Sequence, residues 1–337
     1  MSAHTTFDGT TVVVVGCEFP TTLETEREML AGIGARLVDD RRATREELER
    51  DLADADAVMS ELYPFDRETL ERMTRCRVLS MSAVGTETVD LEAATDCGIV
   101  VTNVPDYCIH DVAEQAFALL LAVWRKLPRA QEMARAGRWT LHELQPIRRL
   151  NGRVLGLVGF GRIAREVASR AQGFGMTVIA HDPYVPGELA SRVGVRLFDL
   201  AGVLAESDVV SLHLPLTPET TKLLDERAFS GMKRGAVLVN TSRGGVIDQD
   251  ALVEALERGT VAGAGLDVLA TEPPAQAEQR LLAREDVVCT PHMGYYSEEA
   301  LEELRVAAAR HVIAVLAGER DVPVANPDVY DSTARRR

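Results

Sequence analysis

Val154-Leu155-Gly156-Leu157-Val158-Gly159-Phe160-Gly161-Arg162-Ile163-Ala164 is the stretch on which the reading of this chain turns. A run of five apolar or small residues predicts a strand buried on both faces, and the glycine pair then turns the chain into a helix expected over Ile163 to Phe174. Gly-x-Gly-x-x-Ala is a dinucleotide fingerprint: Gly159 makes the tight turn, Gly161 lets backbone approach a pyrophosphate on the helix N-terminus, and Ala164 lets helix and strand pack closely. Phe160, Arg162 and Ile163 complete the loop expected to meet the cofactor. An ordinary strand-to-helix turn would use the same glycines, so other residues must decide. The next predicted strand, Thr177 to His181, leads into Asp182, 21 residues beyond Gly161. A carboxylate there hydrogen-bonds the adenosine ribose 2′-OH and repels a 2′-phosphate, which predicts NAD over NADP; a plain Asp-Pro turn is the bland alternative.

Working outward, short β-branched runs alternate with helical patterns along the whole chain, so the fold class is α/β with parallel sheets built of βαβ units. After Arg153 to Val158 and Thr177 to His181, strands are expected at Val209 to Leu214, Ala236 to Asn240, Gly263 to Val268 and Val287 to Thr290. Upstream, Thr11 to Val15, Ala35 to Val38, Ala57 to Leu62, Val78 to Ser82 and Ile99 to Asn103 predict a separate five-stranded doubly wound unit, with Thr44 to Ala53 among its helices. The basic stretch Gln145 to Gly152 reads as a linker into the second sheet, and Thr271 to Gln279, with Pro273 and Pro274, as a loop. An apolar helix, Asp111 to Lys126, and a long last helix, Ser297 to Ala317, connect or flank the two units.

The bulk properties agree with a folded two-domain protein. A length of 337 residues suits about two domains. The formal charge of −15 has the wrong sign for gripping a nucleic-acid backbone, and 46% hydrophobic residues are too many for a disordered chain. The five cysteines (Cys17, Cys76, Cys97, Cys108 and Cys289) include no C-x-x-C pair, which argues against a disulfide framework or a zinc site and fits a reducing cytoplasm. The longest apolar run, Ala116 to Trp124, is far short of the roughly 20 residues a bilayer requires, so no membrane partner is expected. The N-terminal MSAHTTFDGT lacks the pattern of a secretory signal, and the closing Ala-Arg-Arg-Arg reads as a frayed basic tail. His4, His110, His142 and His311 have no partner spacing and are read as surface or core residues; no metal is expected.

Three ionisable residues follow the ends of successive strands in the second unit, at the sheet edge where ligands bind. Arg243 lies in Asn240-Thr241-Ser242-Arg243-Gly244-Gly245, Glu272 in Leu266-Asp267-Val268-Leu269-Ala270-Thr271-Glu272-Pro273, and His292 in Thr290-Pro291-His292-Met293-Gly294. Singly, each could be a loop residue without a role. With the fingerprint, and with Gly85-Thr86-Glu87-Thr88-Val89-Asp90, Gly98-Ile99-Val100-Val101-Thr102-Asn103-Val104-Pro105, Val112-Ala113-Glu114 and Ser211-Leu212-His213-Leu214-Pro215, they make the sequence resemble the D-isomer-specific 2-hydroxyacid dehydrogenases over nearly its whole length. Pro105-Asp106-Tyr107-Cys108 is similar to the bacterial members grouped with C-terminal-binding-protein-like dehydrogenases, and Val84-Gly85-Thr86 to the 3-phosphoglycerate dehydrogenases.

The resemblance implies a flavodoxin-like substrate lobe, residues 1–106 and 295–337, and a Rossmann NAD-binding lobe, residues 107–294, with the active site in the cleft between them. It implies an NAD-dependent oxidoreductase interconverting a small 2-oxo acid and its D-2-hydroxy acid. His292 is then the general acid/base, suited to it because imidazole exists in both forms near neutrality. Glu272 orients that ring, and Arg243 clamps the substrate's carboxylate and carbonyl oxygens through its planar fork. Asp267 is implied to meet the nicotinamide carboxamide, Thr241 the cofactor, and His213 and Pro215 the border of the adenine pocket, with packing the preferred role of His213. Backbone at Val84 and Gly85 is implied to receive the substrate carboxylate, and Tyr107 and Cys108 to line the cleft; in the bland reading these two simply pack. The pattern departs at Ala83, where many members carry glycine, and at Met81, where several carry a base, which disfavours a substrate with an extra charge there. Trp139 matches a position near the family's dimer contact, with core packing as the alternative, and a homodimer is expected. The rival function is an NAD(H)-sensing corepressor-like binding protein, and the rival enzyme a 3-phosphoglycerate dehydrogenase, against which stands a chain that ends soon after its last helix.

Overall fold

The computed structural model describes residues 6–17, 22–276 and 278–332; the readings of His4 and of the terminal Ala-Arg-Arg-Arg fall outside them. Two compact units emerge, Met1–Tyr107 with Ser297–Arg337, and Cys108–Tyr296.

In the first, β1 (Thr11–Val15), β2 (Arg36–Asp39), β3 (Ala57–Ser60), β4 (Val78–Met81) and β5 (Val100–Thr102) form a parallel sheet in the order β2-β1-β3-β4-β5, the flavodoxin-type arrangement. β3 and β4 are buried at every position, as central strands covered on both faces must be. Helix Arg45–Asp54 starts where a capping box forms: Thr44 Oγ1 accepts from the Glu47 N–H, and the Glu47 carboxylate accepts from the Thr44 N–H. The last long helix, Glu298–Leu316, is capped by Ser297 and packs over β3 and β4, where the Ser80 hydroxyl donates to the Ala308 carbonyl at 3.1 Å. Its burial of Leu301, Leu304, Ala308, Val312 and Val315 follows the expected helical spacing.

In the second unit, β6 (Val154–Val158), β7 (Thr177–His181), β8 (Arg196–Leu197), β9 (Val209–Leu212), β10 (Ala236–Asn240), β11 (Val261–Leu266) and β12 (Val287–Cys289) pair in parallel as β12-β11-β10-β9-β6-β7-β8. Counted from β6 this is the 3-2-1-4-5-6 Rossmann order with one strand added. The two-residue β8 has no counterpart among the expected strands, because a pair of residues carries no periodicity. β11 runs two residues earlier than expected, and β9 stops at Leu212, although the His213 N–H still donates to the Val158 carbonyl at the end of β6. Helix Ile109–Trp124 lies directly against β11, an approach that depends on glycine: a Cβ at Gly265 would stand 2.8 Å from Leu119 Cβ, and one at Gly263 would stand 2.7 Å from Val123 Cγ1. Fully burying a side chain such as Leu119 contributes roughly 1.5–3 kcal/mol, so this contact anchors the helix that carries Gln115.

No described helix is long and apolar enough to cross a membrane, and all five cysteines are free thiols. Trp139 is 90% exposed, which removes core packing as its role.

Candidate active site at the carboxyl edge of the second sheet

Because all seven strands run the same way, the loops after β6, β7, β9, β10, β11 and β12 emerge at one edge, and every site residue expected in this unit except Cys108 lies on one of them or on the helix that follows β6. The strand order reverses between β6 and β9. There Gly159 adopts φ +88°, and a Cβ on it would fall 2.2 Å from the His213 carbonyl oxygen, so only glycine permits this closeness. Gly161, the N-cap of helix Arg162–Gly173, has no side-chain cap, and nothing lies within 4 Å of where its Cβ would be. An uncapped N-terminus with open space above it is what a pyrophosphate needs, so the residues present fit a dinucleotide. Ala164 is buried beneath the turn, and Ile163 packs partly against the core.

Phe160 takes a supporting part. Its side chain is wholly buried in the core, and its N–H donates to Asp182 Oδ2 at 2.8 Å. Asp182 Oδ1 accepts from the Tyr184 N–H at 2.9 Å, so the carboxylate is fixed at the end of β7 and tied to the fingerprint loop. His213 is half-buried, its Nε2 2.9 Å from Ser211 Oγ, and burial pushes its pKa down to about 4, leaving a neutral ring beside the loop. Pro215 is exposed, and Thr241 Oγ1 is buried without a hydrogen-bond partner.

The loop after β10 is shaped by Asn240, whose side chain is fully buried. Its Oδ1 accepts from the Ser242 N–H and hydroxyl at 3.0 and 2.8 Å, and its Nδ2 donates to the Arg243 carbonyl at 3.0 Å. This turn presents Arg243, and Gly244 then lets it touch the loop after β11: a Cβ there would lie 2.0 Å from the Leu269 carbonyl. Three residues beyond Leu269, Glu272 Oε1 accepts from the Leu269 N–H at 2.8 Å, and Oε2 lies 2.7 Å from His292 Nδ1. Burial works against ionisation of Glu272. The His292 ring, the Leu269 N–H and the Arg243 charge together outweigh it and hold the carboxyl below its ordinary value.

His292 sits at φ +50°, a left-handed conformation that costs a non-glycine residue on the order of 1 kcal/mol. Asp267 holds it there. The Asp267 carbonyl accepts from the His292 N–H at 2.8 Å, and its buried carboxylate accepts from the Met293 and Gly294 N–H groups at 3.1 and 2.8 Å and from the Thr290 hydroxyl. Gln115 reaches from helix Ile109–Trp124 to donate to Thr290 Oγ1 at 2.9 Å. The structure therefore joins Glu272, His292 and Asp267 by hydrogen bonds and places the Arg243 guanidinium near enough for its charge to act on Glu272.

A model of the D-isomer specific 2-hydroxyacid dehydrogenase NAD-binding domain matches residues 117–294, the part that carries all of these loops. The chain belongs to the D-isomer-specific 2-hydroxyacid dehydrogenase family. Its relatives include D-3-phosphoglycerate dehydrogenase 2, chloroplastic, of Arabidopsis thaliana, 41% identical over 83% of this chain and 45% of that protein. The glyoxylate reductase of Thermococcus litoralis is 40% identical over 80% of this chain and 82% of the relative. The chain spans about half the length of the curated phosphoglycerate dehydrogenases it matches. Among solved structures, Aquifex aeolicus D-lactate dehydrogenase complexed with NAD and lactic acid superposes with a TM-score of 0.83 at 29% identity, over 94% of this chain and 99% of that one.

Within this member of the D-2-hydroxyacid dehydrogenase family, the residues that sequence reasoning missed are the supports. Asn240 carried a signal, since an asparagine two residues before a serine N–H at a strand end forms Asx turns; Gln115 carried none. In the first unit, the Val84 carbonyl accepts from Asn103 Nδ2 at 2.7 Å and the Ala83 carbonyl accepts from the Val104 N–H, so this loop is tied to the exit of β5. Tyr107 is only 9% exposed, and Cys108 is buried. No group of three or more potential metal ligands occurs among the described residues.

Proposed function

We propose that the protein is an NAD-dependent 2-oxo acid reductase, running in reverse as a D-2-hydroxyacid dehydrogenase, with His292 as the general acid/base. The observation that carries this reading is the 2.7 Å contact of His292 Nδ1 with Glu272 Oε2, a carboxylate kept ionised beside an imidazole. When bound, the nicotinamide supplies or accepts the hydride at C2. Nδ1 is committed to Glu272, so Nε2 is the nitrogen that gives its proton to the carbonyl oxygen in reduction and removes it from the hydroxyl in oxidation. Arg243 holds the carboxylate and carbonyl oxygens of the substrate, and backbone at Val84 and Gly85 receives the carboxylate. Tyr107, packed as it is, supports that contact from its own unit.

On the cofactor side, the helix N-terminus beyond Gly161 and Arg162 takes the pyrophosphate and Asp182 the adenosine ribose, with Thr241, His213 and Pro215 around them; Asp267 meets the carboxamide while it holds the His292 loop. Asp182 favours NAD because its fixed negative charge disfavours a 2′-phosphate. Fully buried Met81 offers no charge to a phosphorylated substrate, and a glyoxylate reductase is among the relatives matched over most of their length, 82% in its case, so a small uncharged group beside the carbonyl is the preferred substrate class. A second reading, oxidation of 3-phosphoglycerate, draws on the 41% identity with the Arabidopsis enzyme. Five free thiols suit the cytoplasm, and we place the protein there as a homodimer.

The test is loss of NADH or NADPH absorbance with glyoxylate, hydroxypyruvate, pyruvate, branched and aromatic 2-oxo acids and phosphohydroxypyruvate. Turnover with a small 2-oxo acid and NADH is the expected result, and Asp182→Ala should lower the NADH-to-NADPH ratio of kcat/KM by about tenfold or more. An unchanged ratio would remove Asp182 from the adenosine site. Turnover of phosphohydroxypyruvate alone would install the second reading.

A further inference from the structure

We propose that Gln249 is a positioning residue for the acid/base pair: its side-chain amide clasps both ends of the loop that carries Glu272, and through that loop it sets where the Glu272 carboxylate meets His292. The positioning role rests on the catalytic reading above, whereas the clasp itself does not.

From residue 267 to residue 276 the chain forms neither helix nor strand, so Glu272 stands on a segment with no regular structure of its own. A loop of this kind keeps a carboxylate in register only where particular bonds fix it. Gln249, the first residue of helix Gln249–Glu257, supplies two of them. Its Oε1 accepts from the Ala270 N–H at 3.3 Å, and its Nε2 donates to Glu278 Oε1 at 3.1 Å. Ala270 directly follows Leu269, whose N–H donates to Glu272 Oε1, and Glu278 ends the loop just before helix Gln279–Leu282. One amide therefore joins the entry and the exit of the loop, with Glu272 between them.

Both sides of the clasp are anchored. Helix Gln249–Glu257 starts at Asp248, which accepts from the Ala251 N–H at 3.3 Å and pairs with Lys222 Nζ at 3.0 Å, and the helix buries Leu252, Val253, Ala255 and Leu256. Leu281, in the helix that follows Glu278, is buried in the same core.

The chemistry of the contact selects glutamine. Glu278 is 2% exposed, and the Gln249 amide, assisted by Thr271, outweighs burial and holds its carboxyl below the ordinary value. A side-chain amide offers an acceptor to a backbone N–H and a donor to a carboxylate at the same time. A glutamate at 249 would still accept from Ala270 but would set a second negative charge against Glu278 at hydrogen-bond distance. Whatever moves Ala270 also moves the Leu269 N–H beside it, and with that N–H the carboxylate that meets His292.

Two readouts on the full chain test this: kcat for the best 2-oxo acid with NADH, and amide hydrogen exchange over residues 268–272. Gln249→Glu should speed exchange there by about tenfold and lower kcat by about tenfold or more, with the KM for NADH within about threefold of the parent. Gln249→Met, which lacks both bonds and adds no charge, carries the same expectations should the charged variant not fold. The exchanged pair, Gln249→Glu with Glu278→Gln, again sets a donor against an acceptor and should bring both readouts back to within about threefold of the parent. On a Glu272→Gln background, itself slow, Gln249→Glu should have little further effect on kcat, because the group it displaces is already gone. Unchanged exchange in both single variants would overturn the clasp, whatever the enzyme turns over. Faster exchange with the parent's kcat, or a tenfold loss that persists on the Glu272→Gln background, would overturn the positioning role and leave a structural contact. A parent protein inert toward every 2-oxo acid would overturn the catalytic reading and the positioning role with it, while exchange alone would still decide the clasp.

Discussion

Arg243→Ala should lower kcat/KM for 2-oxo acid reduction by about 10³-fold, some 4 kcal/mol of transition-state stabilisation, while NADH affinity changes by less than about threefold. The split follows from where the side chain stands. Arg243 leaves β10 on a turn that Asn240 fixes, close enough to contribute to the ionisation of Glu272. In the proposed reading the pyrophosphate is met by backbone at Gly161, so removing the guanidinium should take away the oxyanion clamp and leave the dinucleotide seat intact. Arg243→Lys should restore little, because an ammonium cannot present two parallel N–H donors to a carboxylate. Steady-state kinetics with an NADH fluorescence titration would decide it; kcat/KM within threefold of the parent would remove Arg243 from the substrate.

The second large effect is expected from a residue that touches no ligand. In Gly244→Ala the new methyl would lie 2.0 Å from the Leu269 carbonyl carbon and oxygen and 2.4 Å from the Ala270 nitrogen. These are backbone atoms that cannot rotate aside, so either the Arg243 turn or the segment leading to Glu272 must shift. Displacing a reacting group by about 1 Å costs on the order of 10²-fold in rate, and overpacking of this kind costs about 1–3 kcal/mol of stability. Gly187→Ala is the matching control, because nothing lies within 4 Å of its Cβ position. Thermal unfolding and kcat should both fall in the first variant and neither in the second. Parent-like kcat in Gly244→Ala would mean that the two loops are not held in register through this contact.

What the sequence made legible, and what it hid, divides along physical lines. The β6-turn-helix unit could be read because its glycines are demanded by local backbone geometry, and the two sheets because central parallel strands are mostly apolar and buried nearly throughout. Arg243, Glu272 and His292 stood out because each follows a strand end of one parallel sheet. Hidden were the contacts that hold them. Gln115 is 175 residues from Thr290, Gly244 is needed only because Leu269 passes beneath it, and Asp267 serves the His292 loop through three donors that lie 23 to 27 residues away. Such pairings are set by tertiary packing and leave no period in the sequence. Trp139 shows the converse, for a tryptophan in an amphipathic stretch reads equally well as core or as surface until its exposure is seen.

The most direct test of the central claim is the rate of NADH oxidation by the parent and by His292→Ala on the best 2-oxo acid, followed across pH with NADH binding measured for both. If His292 donates the proton, the parent's rate falls as pH rises, whereas the variant binds NADH normally but turns over about 10²- to 10⁴-fold more slowly with a flat profile. A variant that keeps the parent's rate and pH dependence would contradict the account.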